Sequence, residues 1–292
     1  MSDKKAQGKV ISFINMKGGV AKTTLVKEIG LLLSNPEFNK KVLLIDLDPQ
    51  ANLTQSIFEI YSVIDTSKIS TVEEMNKVVR SLPSIYNLYN DDKITPPDLG
   101  KLIKELTPTL SIMPGSLNSI FYGKNSSGDY EQALRNVIKR NNLQDEYQYI
   151  LIDCPPTYSS YTVSAMLASD FYIIPVKPDA YSALGIDLLT EVIEKIKNSY
   201  DDTFQLKPIN NLGIIFTKYD KKAKREASIK KDIEESEHFK RYYKFESVFP
   251  KQDGIATLQL DYVISKSGNE TMKGAILKIA KEILRQVSNY EA

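Results

Sequence analysis

Val10-Ile-Ser-Phe-Ile-Asn-Met-Lys-Gly-Gly-Val-Ala-Lys-Thr-Thr-Leu-Val26 decides how this chain folds. An apolar run, Val10–Ile14, leads into a loop with paired glycines, Gly18 and Gly19. Lys22-Thr23-Thr24 then opens a helix whose Leu25, Ile29 and Leu32 fall at i, i+4 and i+7. Strand, glycine loop and helix N-terminus in that order suit a bound phosphate. Glycines let the backbone wrap, consecutive N–H groups turn inward, and the helix dipole favours an anion. The common G-x-x-x-x-G-K-[ST] pattern would place glycine at Met16 and at Ala21, and neither is glycine. A second lysine, Lys17, stands directly before the glycine pair instead.

Two further apolar runs end in carboxylates. Val42–Ile45 delivers Asp46-Leu-Asp48, and Tyr149–Ile152 delivers Asp153-Cys-Pro-Pro156. Residues i and i+2 of an extended segment point the same way, so Asp46 and Asp48 can face one ligand. In an open α/β sheet, ligands bind beyond the carboxyl ends of the strands, where these carboxylates and the glycine loop converge. Backbone N–H groups from Gly18 through Val20 and Ala21 to Thr24 can hold phosphates. Lys22 can reach the terminal ones, the Thr23 hydroxyl can sit on Mg²⁺, and Asp153 can hold the ion's water shell. Singly, a Gly-Gly pair reads as a turn and a strand-end Asp as a helix cap. Their joint order along the chain favours a nucleotide site.

The rest of the chain continues the alternation. Leu110–Met113, Phe171–Val176, Leu212–Phe216 and Phe245–Phe249 read as strands, and Tyr130–Asn141, Leu184–Ile196, Ala223–His238 and Thr271–Ser288 as helices. Weak helical patterns over Val72–Arg80 and Leu99–Leu106 are interrupted by Pro83, Pro96 and Pro97. These patterns predict an α/β fold of the P-loop NTPase type: a mostly parallel twisted sheet with helices on both faces. No composition shift marks a boundary, so residues 1–292 read as one domain.

Composition narrows the function. Hydrophobic residues make up 42% and charged residues 26% of the 292, and no apolar run approaches the length of a membrane span. The polar N-terminus lacks the apolar region of a secretory signal. One cysteine, Cys154, and one histidine, His238, exclude an internal disulfide and a His-rich metal site, and point to a reducing, cytoplasmic setting. The net charge of +1 announces no nucleic acid globally, so any such signal must be local.

Lys17-Gly-Gly-Val-Ala-Lys-Thr-Thr24, Val42-Leu-Leu-Ile-Asp-Leu-Asp-Pro-Gln50, Ile150-Leu-Ile-Asp-Cys-Pro-Pro156 and Ile173-Ile-Pro-Val176 together closely resemble the ParA partition ATPases, of the deviant Walker A group that includes MinD. The resemblance runs through most of the chain and is weakest from about 55 to 108. It leaves 61–108 as a family-variable insertion. It implies ATP and Mg²⁺ as ligands. Lys17 would be the signature lysine that reaches across an ATP-bound homodimer to the neighbour's phosphates, as a cation supplied in trans. Asp48 would orient the attacking water, with Lys22 and Lys17 as catalytic cations, and Asp46 and Asp153 would lie near Mg²⁺ with Thr23. Thr217, Lys218 and Pro250 would close around adenine, and the segment Asp179–Gly185 would belong to the dimer-forming face. At Ala21 the common form has glycine, so a positive φ there would carry a cost of about 1 kcal/mol. About nine residues precede the first strand, so no N-terminal helix-turn-helix is expected.

Lys218, Lys221, Lys222, Lys224, Arg225, Lys230 and Lys231 form the densest basic cluster, with Lys221, Lys224 and Lys231 on one helical face. Interleaved Glu226, Asp232, Glu234 and Glu235 fit a solvated helix equally well. The family resemblance tips the reading towards nonspecific DNA, bound by the ATP dimer through Lys221, Lys222, Lys224, Arg225 and Lys231. It further implies nucleoid association, a ParB-type centromere-binding adaptor that stimulates hydrolysis, and segregation of a plasmid or chromosome. Lys266, Lys273 and Lys278 are secondary candidates. The alternative is a MinD-like positioning ATPase on a membrane, for which Met272, Ile276, Ile279 and Ile283 would supply an apolar stripe. A nitrogenase-type iron protein is excluded by the single cysteine, which reads as a small buried filler.

Overall fold

The computed structural model describes residues 7–64, 71, 73–74, 77–78, 82, 84–88, 99–116, 128–251 and 261–290. Eight strands build one sheet: β1 Lys9–Phe13, β2 Val42–Asp46, β3 Lys104–Thr107, β4 Leu110–Met113, β5 Tyr149–Asp153, β6 Phe171–Val176, β7 Asn210–Tyr219 and β8 Phe249–Pro250. Their spatial order is β3-β4-β2-β5-β1-β6-β7-β8, and only the edge pair β3–β4 is antiparallel. The longer helices are α1 Lys22–Leu33, α2 Asn52–Ile60, α3 Gly128–Arg140, α4 Ser160–Ala168, α5 Ser182–Ser199, α6 Lys224–Glu235 and α7 Glu270–Asn289.

Side-chain alternation assigns the two faces of the sheet. Val10, Leu43, Ile45, Ile150 and Ile152 pack with Leu134, Ala165, Ile186 and Leu189 of α3, α4 and α5. Ile11, Phe13, Leu44 and Leu151 pack with Leu25 and Ile29 of α1, Leu53 and Ile57 of α2, and Ile276 and Ile279 of α7. Both faces are covered, so the central strands read as mostly apolar runs, as buried parallel strands do. Met272, Ile276, Ile279 and Ile283 are buried on the sheet, each burial contributing about 1.5–3 kcal/mol. The stripe that a membrane would need is thus inside the core. Among the described residues, no helix is long and apolar enough to cross a membrane.

Three expectations change. Phe245–Phe249 is not a continuous strand: only Phe249 and Pro250 pair with β7, beside an isolated Ile214–Lys244 bridge. The reason is Glu282 of α7, whose carboxylate accepts the Glu246 N–H at 2.8 Å and the Ser247 N–H at 3.1 Å, replacing the ladder. Leu99–Leu106 divides into a helical turn, Leu99–Leu102, and the edge strand β3. The charged helix predicted to His238 ends at Glu235 and a short 3₁₀ turn follows. Of the longer helices, α2 and α4 had no expectation at all. All nine residues of α4 are buried, so no polar face gives it a period. The pattern over Val72–Arg80 falls largely outside the described residues.

Candidate nucleotide site

Strand register brings the carboxylates together. Phe13 pairs with Asp153 across β1–β5, and Asp153 pairs with Asp46 across β5–β2. The glycine loop leaves β1 at this same end. Ala21 stands at the N-cap of α1 with φ 64° and ψ 26°, the left-handed conformation that the missing glycine would have suited. No side chain caps α1 and no acidic residue lies in its first turn, so its leading N–H groups stay available to an anion. Gly19 has φ 73°, a conformation that favours glycine. A side chain on Gly18 would meet no atom within 4 Å, so open space lies over the loop.

Lys22 is buried, and its Nζ donates to the Asn15 carbonyl at 3.1 Å and to the Lys17 carbonyl at 3.2 Å. Burial lowers its pKa against the opposing pull of Asp153. The Thr23 hydroxyl donates to Asp153 Oδ2 at 2.6 Å, and Asp153 Oδ1 is buried with no hydrogen-bond partner. Burial first, and then the charge of Asp46, hold the Asp153 carboxyl well above its ordinary range. A hydroxyl beside an orphaned, buried carboxylate oxygen fits a hard divalent cation such as Mg²⁺. Among the described residues, no cluster of three His, Cys, Asp or Glu side chains could hold a metal by itself. An ion here would therefore also need oxygens from a bound ligand or water, as Mg²⁺ at a phosphate does.

Asp46 serves the neighbouring loop. Its Oδ2 accepts the Thr54 N–H at 2.8 Å and the Thr54 hydroxyl at 2.7 Å, and its Oδ1 accepts the Asp48 N–H at 3.2 Å. Burial pushes it up to about 7, against the pull of the Thr54 donors. Gly115 donates its N–H to the Thr54 hydroxyl at 2.7 Å, and a Cβ there would lie 2.9 Å from Asp46 Cγ. Both Asp46 oxygens thus accept donors within the chain, and through Oδ1 Asp46 fixes the backbone of Asp48. Asp48 is half-buried, with Oδ1 accepting the Gln50 N–H at 2.9 Å.

Thr217 is fully buried, and its hydroxyl donates to the Val20 carbonyl at 2.9 Å, so it holds the glycine loop from beneath. A trans peptide sends the Ala21 N–H opposite to the Val20 carbonyl, so this bond fixes the direction of that donor. Lys218 follows at a bulge with φ 50°, and Pro250 pairs with Tyr219 at the edge of a groove of about 810 Å³ lined by α7. Reading the sequence missed Asn15, Thr54 and Gly115. Asn15 donates to the Pro175 carbonyl at 2.8 Å and accepts the Lys17 N–H at 2.9 Å, and its signal was a buried polar residue closing an apolar run.

Lys17 lies at the rim. Its ammonium is ion-paired with Asp179, in the turn before α5. Exposed Tyr181, Leu184 and Leu188 continue along α5 from there. The basic cluster does not form one patch. Lys221 lines the groove along α7, whereas Arg225 lines a separate cleft with Lys177, Asp179 and Tyr181. Lys231 pairs with Glu235, and Lys230 pairs with Glu234 and lies over the Phe216 ring. Lys222 and Lys224 are exposed. Cys154 is fully buried and its thiol is pushed up to about 12, chiefly by burial, which makes it inert.

A family model described as AAA domain matches residues 8–206. The chain belongs to the ParA-type ATPases of this AAA-domain family. It is 25% identical over 294 residues to the chromosome partitioning protein ParA of Caulobacter vibrioides, covering 97% of each chain. An uncharacterised protein of Methanocaldococcus jannaschii is 31% identical over 218 residues, 74% of this chain and 75% of its own. Among solved structures, a plasmid partition protein from Borrelia burgdorferi superposes with a TM-score of 0.70 at 20% identity, covering 96% of this chain and all of its own.

Proposed function

We propose that this ATPase segregates a plasmid or chromosome by cycling between an ATP-bound homodimer on DNA and a released form. The observation that carries the reading is the contrast between the loop's two lysines. Lys22 turns inward beside Thr23 and Asp153, whereas Lys17 turns outward onto a surface bearing exposed Tyr181, Leu184 and Leu188. A cation placed on an apolar rim is suited to a neighbour's phosphates, and an isologous dimer would complete two sites at once.

Within one subunit, the N–H groups from Gly18 to Thr24 would hold the ATP phosphates, and Lys22 would leave its two carbonyls for them. Thr23 and Asp153 would hold Mg²⁺, which draws negative charge off the phosphates when bound. Asp48, fixed by Asp46, would orient the attacking water, and Lys17 of the second copy would offset charge on the transferred group. Lys221, Lys222 and Lys224 are the side chains best placed for phosphate contacts on DNA, and a dimer doubles them. A ParB-type adaptor would stimulate hydrolysis and so release the dimer from DNA, and the ATP-bound form would sit on the nucleoid in the cytoplasm. The membrane reading loses its one observation, because the stripe on α7 is buried.

Subunit mixing tests the shared site. Lys17→Ala and Asp48→Ala are each expected to bind ATP and lose turnover. Mixed in equal amounts, they should recover roughly a quarter of the wild-type rate, because each heterodimer holds one complete site. Hydrolysis retained in Lys17→Ala alone, or no recovery on mixing, would refute the shared site. DNA binding should need ATP and weaken steeply with salt, each lysine removed lowering the salt slope by about 1. Equal affinity with ADP would sink the DNA half of the proposal.

A further inference from the structure

We infer that Asp179 is the positioning residue for Lys17, holding it within its own subunit until a second copy covers the face on which both lie. The inference rests on the dimer reading above. Lys17 is fixed at three points: its N–H donates to Asn15 Oδ1 at 2.9 Å, its carbonyl accepts Lys22 Nζ at 3.2 Å, and its ammonium pairs with Asp179 Oδ2. Nucleotide would remove the second of these by drawing Lys22 to the phosphates. The third is the only one that holds the end of the side chain.

Asp179 is aimed by its own surroundings. Its Oδ1 accepts the Tyr181 N–H at 3.1 Å, and its N–H donates to Ser182 Oγ at 2.7 Å. Ser182 in turn donates to the Lys177 carbonyl. The carboxylate is therefore part of the turn that opens α5, with Oδ2 left for Lys17. That turn carries Tyr181, which is 70% exposed, and Leu184 and Leu188 follow at i+3 and i+7 on the same helical face. A second copy seated on this stripe would press on the turn that aims Asp179. Lys17 must leave that carboxylate to reach across.

The strength of the pair suits a reversible hold. The Lys17 and Asp179 side chains are 34% and 29% exposed, so the pair is partly screened. It can bias the position of a flexible four-carbon side chain, yet it yields to a triphosphate of greater charge. Each dimer breaks two such pairs, so the effect on dimerisation enters twice.

The test compares full-length variants for dimerisation with a non-hydrolysable ATP analogue and Mg²⁺, followed by sedimentation, and for basal phosphate release. Asp179→Asn keeps the Oδ1 acceptor that shapes the turn and removes the charge. It is expected to dimerise at about tenfold lower protein concentration and to hydrolyse ATP faster without any adaptor. Lys17→Ala/Asp179→Asn should show no gain over Lys17→Ala. Ser182→Ala, which disturbs the turn and leaves the ion pair, separates a structural role: it should not tighten the dimer. Dimerisation in Asp179→Asn that is unchanged, or weakened as in Ser182→Ala, would overturn the hold while leaving the dimer reading standing. A wild-type chain that stays monomeric with the analogue would overturn both.

Discussion

At the inner end of the glycine loop, Lys22 is 7% exposed, donates to two backbone carbonyls and lies within reach of the field of Asp153. Five residues earlier, Lys17 stands at the rim, about a third exposed, against Asp179 and an apolar helix face with exposed Leu184 and Leu188. The inner region is a closed structure that lacks only ligand charge: donors at the N-terminus of α1, a hydroxyl, and an orphaned carboxylate oxygen. The rim is the reverse. Its charges are paired, and its unmet need is apolar surface, which only another protein surface would bury. One loop thus joins a pocket that lacks ligand charge to the face proposed for assembly.

The largest expected effect falls on the inner region. Lys22→Ala should lower ATP turnover by about a thousandfold, since it removes a preorganised cation from a buried site. Folding should be little harmed, because burial already disfavours that charge. Phosphate release and thermal melting check the two halves, and turnover above a tenth of wild type would show that Lys17 or backbone N–H groups suffice.

At the rim the pattern should invert. Leu184→Ala/Leu188→Ala changes two exposed side chains, so the melting temperature should move by no more than about 2 °C. ATP-dependent dimerisation should weaken by tenfold or more, as for apolar anchors at the centre of an interface. Sedimentation with the analogue reads this directly. An unaffected dimer would mean that a different face is used.

Between the two regions lies Thr217. Thr217→Val keeps its shape and removes the hydroxyl that holds the Val20 carbonyl, leaving a buried acceptor unpaired at a cost of about 1–2 kcal/mol. Nucleotide affinity should fall by about tenfold, because the Ala21 N–H is no longer aimed. Unchanged affinity in a destabilised protein would confine Thr217 to a structural role.

The inner region was legible because its chemistry is local in sequence. Val10–Ile14, Gly18-Gly19 and Lys22-Thr23 name strand, loop and helix within a short span, and Asp153 announces itself by ending an apolar run. Roles that depend on tertiary contacts were not legible. The bond from Thr217 to the Val20 carbonyl is a matter of strand order, and the use Asp46 makes of Thr54 depends on how α2 returns. The basic cluster read as one patch, since helical spacing cannot show that Arg225 faces the Asp179 cleft while Lys221 lines the α7 groove. Helix α4 was silent because burial on all sides erases period.

The smallest expected effect is the most pointed test of how loop and sheet are joined. Ala21 sits at φ 64°, where a β-carbon costs about 1–2 kcal/mol, and glycine would relieve this while adding freedom to the unfolded chain. Ala21→Gly should therefore stabilise the protein by about 0.5–1 kcal/mol in chemical denaturation. Affinity for ATP should hardly move, since Thr217 still fixes the Val20–Ala21 peptide. In the Thr217→Val background the peptide can relax, so the gain from glycine should shrink, a coupling that a double-mutant cycle measures. If the gain were the same in both backgrounds, the left-handed turn would be imposed by α1 and the glycines. The bond from β7 would then be a passenger of that geometry and not its cause.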